Sequence, residues 1–143
     1  MKKQEKTDNL MLLIWVQSLL AVAGSLYFSE IKSYTPCELC WVQRIFMYPL
    51  VIVYGVALLK RDIKIALPGL VLSGIGMLIS TYHYLIQKWP LLRDSGDTCG
   101  IIPCHTQYIN YFGFITIPFL AGVAFIVIFV VHIIIIKQAR RHT

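Results

Sequence analysis

The chain has 143 residues, of which 57% are apolar and 14% are charged, and its formal net charge is +6 at pH 7. A soluble domain carries about 25% charged residues, so this composition excludes an ordinary soluble globular protein. The positive charge is divided among segments between apolar runs and forms no compact patch, which argues against nucleic-acid binding and favours contact with anionic lipid.

Four long apolar runs predict four membrane-spanning helices in a single integral-membrane domain over residues 1–143. About 20 residues of helix cross a hydrocarbon core of roughly 30 Å. We therefore predict an all-α membrane protein, a four-transmembrane-helix bundle with two outward-facing, cysteine-bearing loops. The expected spans cover residues 10–29, 40–59, 65–86 and 112–136.

The first run also has the features of a cleavable signal peptide. Three lysines precede it, and the sequence AVAG at 21–24 has the small residues of a cleavage site. The run continues through Phe28, which is longer than a signal peptide needs, so a retained helix is favoured. Either interpretation leaves the topology of the following spans unchanged.

The basic residues predict the orientation of the bundle. Nine of the thirteen lysines and arginines lie before the first run, between the second and third, and after the fourth. The positive-inside rule assigns these segments to the cytoplasm. We therefore predict a multi-pass protein of the cell membrane with both termini cytoplasmic and both remaining loops extracytoplasmic.

All four cysteines lie in those two remaining loops. Cys37 and Cys40 form a C-x2-C pair in the first loop, and Cys99 and Cys104 form a C-x4-C pair in the second. Disulfides form and persist outside the membrane, so this placement indicates redox-active or structural disulfides. The cysteine count alone leaves three connectivities open.

The stretch TPCELCWVQR, at 35–44, predicts the start of the second helix. Thr35 and Glu38 have the spacing of a capping box, and Pro36 suits the first helical position, so we expect the helix to begin there.

Cys37, Cys40 and Arg44 then follow one another on a single face of this helix. The positive end of the helix and the Arg44 cation are both expected to lower the pKa of the cysteines. A lower pKa favours the thiolate, which is the species that attacks disulfides.

The short second run places this pair in depth. Residues 45–59 alone give about 22 Å of helix, so the span must extend back to about Cys40. Cys40 is then expected near the outer hydrocarbon boundary, with Arg44 about 6 Å deeper. Thiols there can meet a lipid-soluble quinone, and Arg44 would either polarise its carbonyl or hold the thiolate that attacks its ring. The alternative is that Arg44 only snorkels to the headgroups.

The sequence PCELCWVQR resembles the P-C-x-x-C-x-x-x-R signature of the DsbB family of membrane thiol:quinone oxidoreductases, and CGIIPC at 99–104 resembles its Gram-positive BdbC branch. The resemblance implies a partner, an extracytoplasmic thioredoxin-like thiol oxidase. After oxidising its own substrates, the reduced form of this partner reduces a Cys99–Cys104 disulfide. Electrons then pass to Cys37 and Cys40 and on to menaquinone or ubiquinone, which is not covalently bound at rest. It also implies that Cys40 is the partner of the quinone and that Arg44 binds it.

His83, near the outer end of the third run, resembles the family histidine beside the quinone ring; the alternative is an interfacial histidine in an aromatic belt. Two features depart from the family pattern. Gln43 stands where other members often carry an acid, and the second cysteine pair is more closely spaced.

Three other functions fit parts of the sequence. Four thiolates could bind one zinc ion, although about sixty residues separate the two pairs, and we expect no metal site. The disulfides could be structural staples in a non-catalytic membrane protein. A vitamin-K-epoxide-reductase-like enzyme also joins quinones to C-x-x-C, but there the motif comes late in the bundle.

Overall fold

The structure is a computed structural model that describes residues 2–92, 94 and 101–141. Four helices in the described part of the chain are long and apolar enough to cross a membrane, which confirms the predicted helical membrane fold. These helices are α1 (Lys2–Leu26), α2 (Glu38–Lys60), α3 (Leu67–Lys88) and α4 (Ile117–Arg140). Shorter turns are a π-helical turn at Tyr27–Ile31 and 3₁₀ turns at Ile63–Ala66 and Pro90–Leu92.

The helices pack as a closed bundle in which each contacts two neighbours. α1 packs against α2 and α4, and α3 packs against α2 and α4, while the diagonal pair of α2 and α4 touches much less. Apolar side chains from α1, α2 and α4 fill the centre, among them Met11, Ile14, Leu50, Phe125 and Ile128. Large apolar side chains on the outer faces remain exposed, as expected of helices that face lipid.

Two glycines let α3 approach its neighbours closely. A Cβ added at Gly69 would lie 2.9 Å from the Tyr54 ring on α2, and one added at Gly76 would overlap the Phe125 ring on α4. Small residues at such positions are the usual means by which membrane helices gain close packing.

A buried polar pair joins the diagonal helices. The Tyr54 hydroxyl lies 2.6 Å from His132 Nδ1, and both side chains are fully buried. A polar group in this environment is costly unless it is hydrogen-bonded, so the pair satisfies one atom of each residue.

The connection between α2 and α3 lies beside the N-terminal part of α1. Arg61 contacts Asp8 with an N–O distance of 3.7 Å, and the Gln4 side-chain amide donates to the Arg61 carbonyl. Since successive helices run in opposite directions, both segments that follow α1 and α3 lie at the other end of the bundle. That end, which carries Cys37, Cys40 and Cys104, is called the cysteine end below.

The start of α2 differs from the prediction. The helix begins at Glu38 with Cys37 as its N-cap, and the Cys37 carbonyl accepts the first helical hydrogen bond from the Trp41 amide at 3.1 Å. Cys37 itself is extended, with φ −73° and ψ 173°, and no side-chain capping bond forms. The predicted capping box with Thr35 and a helical start at Pro36 is therefore wrong.

The last helix begins later than the apolar run suggested. Phe112 (φ 54°) and Gly113 (φ 79°) have left-handed backbone conformations in a turn closed by pairing of Tyr111 with Ile115. α4 starts at Ile117, with Pro118 in its first turn, where a proline needs no amide hydrogen. The apolar residues 112–116 thus belong to a turn rather than to the span.

Candidate active site

The first turn of α2 brings the two sulfurs of the C-x2-C pair together. Cys37 is the N-cap and Cys40 the third helical residue, and their Sγ atoms lie 3.2 Å apart. This exceeds the roughly 2.05 Å of a disulfide, so the pair is a dithiol in which Cys37 donates to Cys40. The Cys37 backbone also hydrogen-bonds the Cys40 sulfur. Cys40 thus occupies the place that a capping-box side chain normally takes.

The surroundings of Cys37 stabilise its protonated form. The hydrogen bond to Cys40, followed by burial, raises the pKa of Cys37 to about 12, although the contact with His83 opposes this shift. The prediction that the helix terminus and Arg44 lower the pKa of both cysteines is therefore wrong for Cys37. Removal of the Cys37 proton breaks the hydrogen bond that Cys37 donates to Cys40. The cost of this loss exceeds any stabilisation of the thiolate by the helix N-terminus.

His83, on α3, contacts the Cys37–Cys40 pair through Cys37 and is 1% exposed. Its Nε2 is 3.6 Å from Cys37 Sγ and 3.1 Å from the Cys104 carbonyl oxygen, and its Nδ1 is 3.0 Å from Gln43 Nε2. A neutral ring with its proton on Nε2 fits these contacts, because it donates to the carbonyl and accepts from the amide. His83 thus connects the start of α2 with the loop that carries Cys104.

Cys104 is buried at the same end of the bundle and interacts electrostatically with Cys40. Two side-chain amides fix this loop to the end of α3. Gln87 donates to the Thr106 carbonyl at 3.1 Å, and Gln107 donates to the Gln87 carbonyl at 2.9 Å. Cys99 lies outside the described residues, so its pairing with Cys104 stays a prediction.

Within the described residues, Arg44 is held by groups of α1 and α2 and by no acidic partner. Its Nη2 donates to the Ser25 carbonyl oxygen at 3.1 Å, and its guanidinium lies 5.2 Å from the centre of the Trp41 ring. The Ser25 bond uses one of the five N–H donors of the guanidinium, so other donors remain available to a ligand. Arg44 is thereby fixed one helical turn beyond Cys40.

A cavity of about 390 Å³ opens between α1, α2 and α4 in the half of the bundle nearest the cysteines. Cys40, Gln43 and Arg44 line it, while most of its remaining wall is apolar. The volume falls within the roughly 300–1,000 Å³ typical of small-molecule sites, which combine apolar walls with a few polar groups.

Two of the described residues at this end of the bundle, Cys37 and His83, do not line the cavity. The structure therefore brings together Cys40 and Arg44, as the sequence predicted, but places His83 with the thiol pair. Gln43 stands between them, because it lines the cavity and bonds the His83 ring. The quinone-binding role predicted for His83 stays a prediction.

Three aromatic rings form a stack along the cavity that sequence reasoning missed. Tyr34 lies nearly parallel to Phe28, with centroids 6.2 Å apart, and to Tyr108, with centroids 4.9 Å apart. All three line the cavity and join the two loops of the cysteine end. The sequence shows an aromatic residue in each loop, but it gives no signal of which rings meet.

Gln43 is the second site residue without a predicted role. Its departure from the family pattern marked the position, yet the sequence did not show that the side chain is 5% exposed and bonded to His83. A buried polar residue inside an otherwise apolar span is the signal that could have identified it.

Comparison with known proteins identifies the family. The family model described as "Disulfide bond formation protein DsbB" matches residues 7–135. The chain is 59% identical to a "Probable disulfide formation protein" of Oceanobacillus iheyensis, with 98% of this chain and 97% of the relative covered.

Two further relatives carry the C-type description. The chain is 55% identical to the "Probable disulfide formation protein C" of Halalkalibacterium halodurans, with 94% of this chain and 98% of the relative covered. It is 52% identical to the "Disulfide bond formation protein C" of Bacillus subtilis, with 81% and 84% covered. No solved structure gives a significant match. The predicted resemblance is confirmed, and the chain belongs to the DsbB family of disulfide bond formation proteins.

Proposed function

We propose that the chain is a thiol:quinone oxidoreductase that reoxidises an extracytoplasmic thioredoxin-like thiol oxidase. Family membership supports disulfide formation at a membrane. The observation that carries the finer proposal is that Cys40 and Arg44 line one apolar cavity while Cys40 also contacts Cys37. One cysteine of the pair therefore lines the cavity and the other does not.

The cavity residues fit a quinone headgroup and the start of its apolar tail. Leu20, Met47 and Leu120 supply apolar wall, and Arg44 and Gln43 supply hydrogen-bond donors near the sulfur. A quinone bound there supplies the two-electron, two-proton acceptor that lets the Cys37–Cys40 dithiol close to a disulfide.

The residues around the cavity have separate tasks in this reaction. Cys40 lines the cavity wall, and Cys37 donates a hydrogen bond to the Cys40 sulfur. Arg44, fixed by the Ser25 carbonyl and the Trp41 ring, interacts electrostatically with the Cys40 sulfur. Its remaining N–H groups are the natural donors to a carbonyl in the cavity. The stacked rings of Tyr34 and Tyr108 form part of the cavity wall at this end.

The second loop would connect the cavity with the thiol partner. Two thiols of the partner become a disulfide as the Cys99–Cys104 disulfide is reduced, and the new thiols then reduce the Cys37–Cys40 disulfide by the same exchange. Each step transfers two electrons and two protons and passes through a mixed disulfide. The burial of Cys104 beside Cys40 supports this order, since exchange requires that the sulfurs of the two pairs meet.

The orientation proposed from the basic residues puts the cysteine end outside the cytoplasm. Arg61 and the first residues of α1 lie at the opposite end of the bundle. In intact cells, with the native cysteines replaced by serine, a thiol reagent that cannot cross membranes should then label a cysteine introduced at the exposed Ile101 and should not label one introduced at Lys64. The reverse labelling pattern would contradict the orientation.

The activity is tested by anaerobic mixing of the purified protein with a reduced thioredoxin-like protein and excess menaquinone or ubiquinone. We expect absorbance to report quinone reduction coupled to oxidation of the thiols. The variants Cys37→Ala, Cys40→Ala, Cys99→Ala and Cys104→Ala should each abolish multiple turnover. Full activity of the Cys40 or Cys37 variant would overturn the proposal.

A further inference from the structure

We propose that the reduced Cys37–Cys40 pair and His83 together form a binding site for one Zn²⁺ ion, which holds the pair as thiolates and blocks its conversion to a disulfide. This ligand set of two sulfurs and one imidazole differs from the four-thiolate zinc site considered from the sequence. It needs the dithiol form of the protein and does not depend on what accepts the electrons.

The three ligand atoms already stand close to the separations that zinc requires. Cys37 Sγ, Cys40 Sγ and one ring nitrogen of His83 all lie within 4.8 Å of one another. With Zn–S bonds of about 2.3 Å and a Zn–N bond of about 2.0–2.1 Å, tetrahedral coordination sets the two sulfurs about 3.8 Å apart and each sulfur about 3.6 Å from the nitrogen. The observed distances are 3.2 Å between the sulfurs and 3.6 Å from Cys37 Sγ to His83 Nε2.

These three residues also share a space of the right size. Apart from the large cavity, a small one of about 20 Å³ is lined by Cys37, Cys40 and His83. A volume of about 10–15 Å³ on this measure holds one water molecule, so the space accepts a single ion or water. An ion there requires the two sulfurs to move slightly apart, by rotation of their side chains.

An unsatisfied polar atom marks the same small cavity. Gln87 lines it, is 4% exposed, and its Oε1 has no hydrogen-bond partner within the described part of the chain. Three protein ligands leave the fourth position of zinc to water. The Gln87 oxygen is suited to accept a hydrogen bond from that water.

Gln43 would orient the imidazole for the metal. A histidine that binds zinc through one nitrogen donates its other N–H to a fixed acceptor. Gln43 lies 3.0 Å from His83 Nδ1, and a half-turn of its amide presents Oε1 to that nitrogen. His83 Nε2 then exchanges its contact with the Cys104 carbonyl for the metal.

The site would be specific for the reduced state. Binding of Zn²⁺ displaces the two thiol protons and involves no change in oxidation state, whereas a Cys37–Cys40 disulfide has no thiolate to offer. Zinc and disulfide formation therefore compete for the same sulfurs. A bound ion would protect the reduced pair and stop turnover until it is removed.

The experiment uses the full chain with Cys99→Ser and Cys104→Ser, reduced, freed of reductant under anaerobic conditions and titrated with Co²⁺ as a spectroscopic probe of the zinc site. We expect one ion per chain, a thiolate-to-cobalt charge-transfer band, displacement by Zn²⁺, and no binding after oxidation of the pair. Zinc content of the reduced protein without these substitutions, measured after gel filtration, gives a second readout.

Variants separate the ligands from their neighbours. His83→Ala and Cys37→Ser should lower Co²⁺ affinity by more than 100-fold, and Gln43→Leu by roughly 10- to 100-fold. His105→Ala, a loop histidine outside the cluster, should keep the affinity. Absence of binding to the reduced pair, equal binding after oxidation, or unchanged affinity in His83→Ala would each overturn the proposal. None of these measurements contains quinone, so failure of zinc binding and failure of the oxidoreductase activity are distinguishable.

Discussion

Cys40 and Arg44 line the same cavity from adjacent turns of α2. The Arg44 guanidinium is fixed by α1 through the Ser25 carbonyl and by its own helix through Trp41. A cysteine and an arginine therefore line one largely apolar cavity inside the helical bundle. The predictions below follow from this arrangement and from the packing that supports it.

Replacement of Arg44 by glutamine should slow electron transfer from the Cys37–Cys40 pair to quinone. Loss of a hydrogen bond from a charged donor costs about 1.5–3 kcal/mol, which corresponds to a rate loss of roughly 10- to 150-fold. Stopped-flow absorbance of the reduced protein with quinone measures this rate. Thiol exchange with the partner protein should be unchanged, and so should both reactions in Arg61→Gln, at the far end of the bundle. An Arg44→Gln variant with the original quinone rate would contradict this role.

Filling the cavity should weaken quinone use without affecting the thiols. Ala121 lines the cavity on α4, and Ala121→Phe places a ring within it. We expect the KM for quinone to rise at least tenfold, because the occupied space and the lost apolar contact both oppose binding. The matched control is Val130→Phe on the same helix, because Val130 is 47% exposed and does not line the cavity. Equal KM values for the two variants would show that the large cavity is not the quinone site.

Gly76→Ala should destabilise the bundle, because the added methyl group overlaps the Phe125 ring. Overpacking of this kind typically costs about 1–3 kcal/mol. Thermal unfolding in detergent, followed by circular dichroism, measures the loss. Gly122→Ala is the control, since its Cβ would meet Ser80 at an ordinary 3.4 Å. Equal unfolding temperatures for the two variants would contradict the close packing of α3 on α4.

Tyr54→Phe should also lower stability, for a different reason. It removes the 2.6 Å bond to His132 and leaves both ring nitrogens unsatisfied, because His132 Nε2 is already without a partner among the described residues. A buried polar group without its partner costs about 1–3 kcal/mol. The same detergent unfolding assay applies, with the half-exposed Tyr82→Phe as its control. A Tyr54→Phe protein as stable as its parent would show that the pair contributes little.

The sequence was most informative where a single pattern determines the structure. Runs of apolar residues long enough to cross a bilayer predicted the four helices. The C-x2-C…Arg spacing predicted that Cys37, Cys40 and Arg44 share one face of α2; Cys40 and Arg44 do line one cavity, whereas Cys37 precedes the helix as its N-cap. It was least informative at helix ends. A capping box at Thr35 is a local preference, and the fold instead uses Cys37 as the cap, so that its sulfur meets Cys40.

Contacts between distant segments explain what the sequence could not show. The position of His83 against Cys37 depends on how α3 packs on α2, and the stack of Tyr34 on Tyr108 depends on how two loops meet. Neither relationship has a fixed spacing along the chain. The large cavity is likewise formed by three helices and has no sequence signature of its own.

The central claim is that electrons leave the protein from the Cys40 sulfur into the large cavity. Its most direct test is a single turnover with the chain carrying Cys99→Ser and Cys104→Ser, reduced and mixed anaerobically with quinone. We predict one quinone reduced per chain, together with formation of a Cys37–Cys40 disulfide. A folded, fully reduced protein that leaves quinone unreduced would contradict the account.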